Sequence, residues 1–274
     1  MTNPVLWLEL RVRVRERKLW IVSLLFLVCL AVISGLATLS TAYENGDQNP
    51  ADIGKALALA NIFALGGLLL VLSPLAGAGR LAQEREQRTM PGLLNTPLSR
   101  AGIVWGKLLA TWCFVAWLAA LSLPFLMTAT LWGGYGFADL ALGFVLILAG
   151  ALTVATIAVG LSGFFNRSLT SYLATGVVLF FWLAAWPLLG LIIGRFWRPH
   201  DTAAREVFEQ ILMHVFYYHN PITPVIAAFN RAEEPFRGRA LEIIAYALTV
   251  WTVLGVASFR LAVRGLNRGL HDRP

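Results

Sequence analysis

Charged residues are scarce in this 274-residue chain and are nearly missing from six long stretches of it. Only 14% of the residues are charged and 58% are hydrophobic, which is far from the composition of a soluble domain. Each of the six runs approaches or exceeds the ~20 residues that a helix needs to cross hydrocarbon. The runs also lack the alternation of barrel strands, so the sequence predicts an all-α integral membrane protein.

Cysteine and histidine are scarce too, with two and four residues respectively. Cys29 and Cys113 both fall inside predicted spans, where we expect them to pack as small apolar side chains, so the sequence predicts neither a disulfide framework nor a thiolate metal cluster. His214 and His219 are five residues apart, a spacing that does not place them on one helical face. The motifs of zinc helices, serine hydrolases and phosphate loops are missing, so we expect this chain to bind no metal and no cofactor.

The predicted spans form one transmembrane domain, residues 1–274, with spans at about 19–43, 56–79, 106–131, 140–163, 171–194 and 241–262. If the amino terminus is cytoplasmic, fifteen of the 22 Lys and Arg residues and five of the 15 acids fall on the cytoplasmic side. This bias follows the positive-inside rule, and six spans return the carboxy terminus to the cytoplasm. We attribute the net charge of +7 to contact with the lipid bilayer and expect no nucleic-acid partner.

Two connections are longer than the rest: a cytoplasmic loop at 80–107 and an external loop at 195–239. The external loop is predicted to contain one or two short helices at the membrane interface, one of them from Ala203 to Tyr217, with Asn220-Pro221 following its end. Its aromatic residues are predicted to be mainly membrane anchors. They are Trp197, Phe208, Phe216, Tyr217, Tyr218 and Phe229.

The amino-terminal segment, residues 4–18, has two interpretations. It is either a helix lying on the membrane surface or an ordinary basic flank that orients the first span. In the first case the residues at the membrane surface would be Trp7, Arg11, Arg15 and Lys18.

The cytoplasmic loop carries the most specific pattern in the chain. Thr89 is predicted to cap a short helix whose first turn tolerates Pro91, and Asn95-Thr96-Pro97 is predicted to end it. Ser99 is expected to cap the next span. The short helix would carry an apolar knob into the cytoplasm, formed by Met90, Leu93 and Leu94. The alternative is a solvated hairpin whose leucines fold back onto the bilayer.

This loop resembles the coupling region of ABC-2 type transporter permeases. It departs from the pattern of that family at Arg88, where glycine is usual, and at Pro91, where an acid is usual. Asn3-Pro4-Val5-Leu6 with Glu9, and the later Asn220-Pro221, are similar to further elements of the family. The matching loop residues are Glu84, Glu86, Thr89, Leu93, Leu94, Thr96, Pro97, Ser99, Arg100, Ile103, Gly106 and Lys107.

The resemblance implies a permease subunit without an ATPase site, in a bacterial or archaeal cell membrane. A separate ABC ATP-binding subunit would hold ATP and magnesium, and a second permease chain would pair with this one as a homodimer or heterodimer. The loop would form a coupling helix that inserts into the ATP-binding subunit. The residues implied in that contact are Glu84, Glu86, Arg88, Thr89, Met90, Leu93, Leu94, Thr96 and Pro97.

Two other functions remain open at this point. A permease of this fold could transmit mechanical work to a periplasmic or surface partner without moving a small molecule. An intramembrane enzyme that modifies lipids is the alternative from a different class, although the spans carry few groups that such chemistry requires. The sequence identifies no substrate.

Overall fold

The computed structural model describes residues 4–44, 49–197, 202–231, 236 and 238–268. Six helical segments in these ranges are long and apolar enough to cross a membrane, which confirms the all-α fold and the number of spans. The helices are α1 Pro4–Arg15, α2 Arg17–Glu44, α3 Pro50–Gly77, α4 Ala82–Glu86, α5 Met90–Leu94, α6 Arg100–Leu131, α7 Phe137–Ser162, α8 Ser168–Phe180, α9 Trp186–Phe196, α10 Thr202–Leu212, α11 Thr223–Phe229 and α12 Ala240–Arg268.

The predicted spans correspond to α2, α3, α6, α7, the pair α8 and α9, and α12. A π-helical turn, Phe181–Ala185, joins α8 to α9 and makes them one long span. Most of these helices extend a few residues beyond the apolar run that predicted them, because helices continue through the polar membrane boundary.

The centre of the bundle is the contact of α3 with α7. Helix α3 also packs against α2 and α6, and α7 also packs against α12. The buried side chains at this centre include Ile62, Leu65 and Leu69 of α3 and Leu118 of α6. The span formed by α8 and α9 lies at the edge and is largely exposed, as is α2. These exposed apolar faces are the surface that lipid or another membrane helix would cover.

Small residues let α7 and α12 approach closely. A Cβ atom on Gly160 would lie 2.6 Å from the carbonyl oxygen of Ser258, and one on Gly265 would lie 2.2 Å from the carbonyl oxygen of Gly163. Larger residues therefore do not fit at these two positions without moving the helices apart. In the membrane such close backbone contact supplies much of the packing energy between helices.

A polar link crosses the middle of the bundle at Asn61 of α3, which is 1% exposed. Its Oδ1 accepts a hydrogen bond from the hydroxyl of Ser34 at 2.6 Å, and its Nδ2 donates to the carbonyl oxygen of Phe125 at 3.3 Å. The side chain thereby joins α2, α3 and α6 at a depth where no water is available to replace these bonds.

The bundle has two ends with different contents. One end, which we call the loop end, carries α1, the 78–99 connection with α4 and α5, the turn before α8 and the end of α12; Arg85 in α4 contacts the backbone of Phe165 and Gly265 there. The opposite end carries the turn after α6 and the 202–231 segment, where Arg231 pairs with Asp139. The chain thus alternates between the two ends as six spans require.

Helix α1 is shorter than the predicted surface helix. It ends at Arg15, and Lys18 lies in the first turn of α2. Trp7, Arg11 and Arg15 are exposed on α1, which packs against α6 on its other side. Lys18 therefore lies outside α1, which corrects the bounds of the helix that the first interpretation gave, and a position of α1 on the membrane surface stays a prediction.

The segment at the opposite end is partly an interior element. The predicted helix from Ala203 to Tyr217 is confirmed as α10 followed by a π-helical turn, Met213–Tyr217. Helix α11, however, packs against α7 and α12, and Phe229 is 9% exposed with its ring against Tyr135. The prediction that Phe229 anchors the chain at the membrane surface is wrong, because the apolar side of α11 turns into the bundle.

Candidate functional site: the connection between the second and third spans

The 78–99 connection is folded throughout and contains two short helices in a tight reversal. Helix α4 ends at Glu86, and Arg88 adopts a positive φ of 58° before α5 begins at Met90. A non-glycine residue in this left-handed conformation is strained by about 1–2 kcal/mol. This conformation accounts for glycine being usual at the matching position of the resembling permeases.

A buried lysine lies beneath the connection. Lys107 of α6 is 2% exposed, and its Nζ is 2.9 Å from Oε1 of Glu9 in α1 and 2.9 Å from Oε1 of Glu84 in α4. Nη1 of Arg80 is 3.1 Å from the other carboxylate oxygen of Glu9. We call Glu9, Arg80, Glu84 and Lys107 the ion cluster. It joins the amino-terminal helix to the connection and to the third span.

The two acids of the ion cluster are held in their charged forms. Burial alone would raise the pKa of Glu9, but the charge and hydrogen bond of Lys107, together with Arg80, outweigh burial and lower it. Burial would also raise the pKa of Glu84, and the hydrogen bonds from Thr89 and Lys107 lower it instead. The lowered pKa values therefore favour the charged forms of both carboxylates in this partly buried site.

Thr89 fixes the reversal between α4 and α5. Its hydroxyl donates to the carboxylate of Glu84 and, at 3.2 Å, to the carbonyl oxygen of the same residue. The Thr89 side chain makes no capping hydrogen bond to α5, so the predicted cap is wrong. The prediction for Ser99 is confirmed, because its Oγ accepts from the backbone N–H of Gly102 at 3.1 Å at the start of α6.

Arg85 and Glu86 connect α4 to two further elements. Arg85 donates to the carbonyl oxygens of Phe165 at 3.2 Å and of Gly265 at 2.9 Å, so it reaches both the turn after α7 and helix α12. Glu86 accepts from the backbone N–H of Ser168 at 3.0 Å and from its hydroxyl, which caps the start of α8. These bonds from Ser168 lower the pKa of Glu86, and burial lowers the pKa of Arg85.

The first turn of the connection is held by two serine hydroxyls. Oγ of Ser162, at the end of α7, accepts from the backbone N–H groups of Leu81 at 2.8 Å and Ala82 at 3.0 Å. The hydroxyl of Ser171 in α8 donates to the carbonyl oxygen of Ala78. The backbone groups left unpaired after α3 are therefore satisfied by neighbouring spans.

Helix α5 is attached through its apolar side. Met90 is 7% exposed and packs in a cluster with residues of α6 and α12 such as Val104 and Leu266, whereas Leu93 and Leu94 are half-buried at the edge of that cluster. The sequence predicted a knob that projects with all three side chains; Met90 is instead the anchor. The exposed residues around α5 are Arg88, Thr89, Pro91, Gly92, Asn95, Thr96 and Pro97.

Sequence reasoning missed the ion cluster, although it named three of its members for other reasons. Glu9 and Lys107 are 98 residues apart, so their pairing depends on how α1 packs against α6. One signal was present: Lys107 is followed by a long uncharged run and belongs to the third span, where a buried cation requires an anionic partner.

Metal chemistry has no support in the described part of the chain. Within those ranges there is no group of three or more His, Cys, Asp or Glu residues that could hold a metal ion. Cys29 and Cys113 lie in α2 and α6 as predicted and are exposed on the outer surface of the bundle.

The fold and this site define a class: a multi-pass helical membrane protein in which a folded connection is joined to most of the spans. A family model described as ABC-2 family transporter protein matches residues 3–262, nearly the whole chain. The chain therefore belongs to the ABC-2 family of transporter membrane proteins, as its loop suggested. No curated protein matches it.

Proposed function

We propose that the chain is the permease subunit of an ATP-driven ABC-2 exporter and that a separate ATP-binding subunit docks on α5. That partner would bind and hydrolyse ATP with magnesium. This chain would receive the resulting movement and pass it to the spans, which would carry an as yet unidentified substrate across the membrane. Membership of the ABC-2 family supports this proposal.

The observation that carries the proposal is the set of contacts leaving the 78–99 connection. Lys107 links it to α6, Glu9 links it to α1, and Arg85 and Glu86 link it to α12 and α8. Ser162 adds α7. A displacement applied to α5 would therefore act on the second to sixth spans and on the amino-terminal helix at the same time.

The exposed outer side of α5 is the proposed docking surface. Gly92 and Pro91 occupy its tip, and a Cβ atom on Gly92 would meet nothing within 4 Å. A tip with small side chains suits insertion into a cleft on a partner. Glu84 and Glu86, which the resemblance placed in the contact, are engaged within the chain and would support the docking surface from below.

Under this proposal the loop end faces the cytoplasm. The positive-inside bias of the sequence supports that orientation. The weakly buried faces of α2 and of the α8 and α9 span would give a second permease chain room to pack. Two permease chains over two ATP-binding subunits would complete the transporter.

The test is a pull-down of the tagged chain from its own membranes in mild detergent, followed by identification of the copurifying proteins. We expect an ATP-binding subunit with the parent and its loss with Gly92→Glu. Glutamate at this position meets open space in the free chain but places bulk and charge in the docked tip. Gly92 is a better site than half-buried Leu94, where aspartate would also disturb the packing beneath α5.

The matched control is Gln210→Glu, which adds the same charge on exposed α10 at the opposite end. It should retain the partner. If no ATP-binding subunit copurifies with well-folded parent, ATP coupling is wrong. If one copurifies equally with Gly92→Glu, the docking surface lies elsewhere. Substrate flux in vesicles containing the complex then separates transport from purely mechanical transmission.

A further inference from the structure

Arg13 of α1 is a buried cation without a full set of partners. It is 8% exposed, and its guanidinium carbon lies 5.4 Å from the centre of the Phe114 ring. Within the part of the chain that the structure describes, neither its Nε nor its Nη2 has a hydrogen-bond partner. Burial of unpaired guanidinium groups is unfavourable, so this side chain is suited to an acceptor that the chain does not itself provide.

The acid on the same helix does not fill that role. Glu9 is ion-paired with Lys107 at 2.9 Å and with Arg80 at 3.1 Å. It therefore attracts Arg13 only through its charge at longer range, as Glu16 also does. Arg13 contributes a positive charge that its surroundings leave partly uncompensated.

A cavity of about 230 Å³ adjoins Arg13 between α1, α2, α3 and α6. Its charged lining is Arg13, Lys18, Arg80 and Glu16, so cations outnumber acids three to one. The other lining residues are apolar: Leu19, Val22, Leu72, Leu75, Ala76 and Phe114. Such a cavity matches a ligand that has a negatively charged head and an apolar body.

A second cavity lies on the other side of Arg13 and Phe114. It measures about 320 Å³ and is walled mainly by apolar side chains of α1, α2 and α6, among them Trp20 and Trp117. Arg13, Leu19 and Phe114 line both cavities. The cation therefore lies between two apolar spaces at the junction where the chain enters its first span.

We propose that Arg13 binds the phosphate of an anionic phospholipid from the leaflet at the loop end, with an acyl chain against the apolar wall of α2 and α3. Arginine suits phosphate because its planar fork donates two parallel hydrogen bonds. The apolar wall selects a lipid over a soluble phosphate, since only a lipid gains from burying hydrocarbon there. The proposal requires that the chain cross a membrane but not that it couple to ATP.

This site differs from the general attraction of basic segments to anionic membranes. Arg11 and Arg15 on α1 are exposed and contribute to that diffuse attraction, which any cation near the surface supplies. Arg13 is enclosed and positioned. It is also one helical turn from Glu9, so an occupied site would fix α1 beside the ion cluster.

The test compares the purified full chain in neutral detergent with added phosphatidylglycerol, phosphatidylcholine or glycerol 3-phosphate. Retained lipid is counted by native mass spectrometry, and the melting temperature is followed by tryptophan fluorescence. We expect phosphatidylglycerol alone to be retained and to raise the melting temperature. Arg13→Gln should weaken this apparent affinity by roughly tenfold or more, because loss of even one of the two charge-assisted hydrogen bonds corresponds to about that factor.

The matched control is Arg15→Gln, which removes an exposed arginine from the same helix and should keep the lipid response. Equal responses of Arg13→Gln and Arg15→Gln would overturn the proposal and leave only diffuse attraction. A rise of the melting temperature with glycerol 3-phosphate as large as that with phosphatidylglycerol would show that the site takes a soluble phosphate. An equal response to phosphatidylcholine would refute selection for an anionic lipid.

A second variant keeps the test valid if Arg13→Gln folds poorly. Ala76→Leu leaves the arginine in place and fills part of the first cavity, so it should also reduce retention of phosphatidylglycerol. Full retention by this variant would contradict placement of the acyl chain along α3.

Discussion

The two ends of the bundle are held in different ways. At the loop end, the 78–99 connection is fixed by ion pairs and hydrogen bonds that reach α1, α6, α7, α8 and α12. At the opposite end, α11 is inserted among α7 and α12 through apolar side chains such as Val225 and Ala228. The first attachment is directional and charged, and the second is mainly apolar.

The opposite end also has polar contacts besides the Arg231–Asp139 pair, and a buried one lies at Asn220. Its Nδ2 donates to the carbonyl oxygen of Leu183 at 3.1 Å, and its Oδ1 accepts from the backbone N–H of Ile222 at 3.0 Å. The Leu183 carbonyl is available because Pro187, four residues later, has no N–H to donate to it. The same proline accounts for the π-helical turn at this point, since the regular hydrogen-bond ladder breaks there.

This difference suggests that the two ends of the bundle would have different mechanical roles. A network of directional bonds transmits a push without allowing rotation, so it suits the end that would receive a partner's movement. Apolar packing allows small sliding movements between helices. It therefore suits the end where a pathway for the substrate would open under the proposed function.

The largest effect is expected from Lys107→Met at the loop end. Removing the lysine leaves Glu9 and Glu84 close together without their shared cation, and breaking a buried ion pair in this manner destabilises a protein by about 3–5 kcal/mol. The readout is the melting temperature in detergent. Lys55→Met is the control, because its pair with Asp52 is half-exposed at 3.7 Å and should contribute less than about 1 kcal/mol. Similar decreases in melting temperature for Lys107→Met and Lys55→Met would contradict the proposed difference between the ends.

Acid should weaken the loop end by a smaller amount, because protonated Glu9 and Glu84 keep some hydrogen bonds. Both pKa values are lowered in the folded chain from 4.5, so the unfolded chain binds protons more readily. The stabilisation is therefore complete above about pH 4.5 and is lost as the pH falls through the folded pKa values. Melting curves from pH 7 to pH 3 measure this loss. The double variant Glu9→Gln, Glu84→Gln should show a flatter profile, and an unchanged profile would contradict the assignment.

At the opposite end, Asn220→Ala should cost about 1–3 kcal/mol, because it leaves the Leu183 carbonyl and the Ile222 N–H without partners in a buried site. Asn95→Ala, on the exposed side of the connection, is the control and should change stability by less than about 0.5 kcal/mol. Thermal unfolding of both variants measures these changes in stability. A decrease in stability for Asn220→Ala as small as that for Asn95→Ala would mean that the hydrogen bonds of Asn220 do not help to fix this end.

The smallest effect is expected from Arg88→Gly. Glycine relieves the left-handed strain at φ 58° but gives the unfolded chain more freedom, so the net gain is at most about 1 kcal/mol. Arg88→Ala keeps the strain and serves as the comparison. A melting temperature that rises with alanine as much as with glycine would show that the arginine side chain, and not the backbone conformation, is responsible.

The sequence predicted the spans and the connection well because apolar runs and prolines act locally. The helix from Ala203 to Tyr217, the end of α5 before Asn95 and the cap at Ser99 all follow from neighbouring residues. The contact of Lys107 with Glu9 and the burial of Arg13 depend on the packing of α1, which no local pattern reports.

Burial within amphipathic segments was also hard to predict. Met90 resembles Leu93 and Leu94 in its chemistry, yet only Met90 lies fully in the cluster between α6 and α12. Phe229 and Tyr218 resemble the exposed Trp197 in their chemistry, yet both are buried, Phe229 against Tyr135 and Tyr218 against Ala227 and Ile243. In each case the direction of the side chain is set by the helix against which the segment lies.

Under the proposed function, the 78–99 connection and α12 would move as one body when an ATP-binding subunit acts on α5, because Arg85 joins them. Spin labels at exposed Gln83 in α4 and Arg264 in α12, in a background with Cys29 and Cys113 replaced by serine, measure their separation in the reconstituted complex. We expect one unchanged distance with and without ATP. A shifted or second distance with ATP would show that the connection slides past the spans, which would contradict rigid transmission.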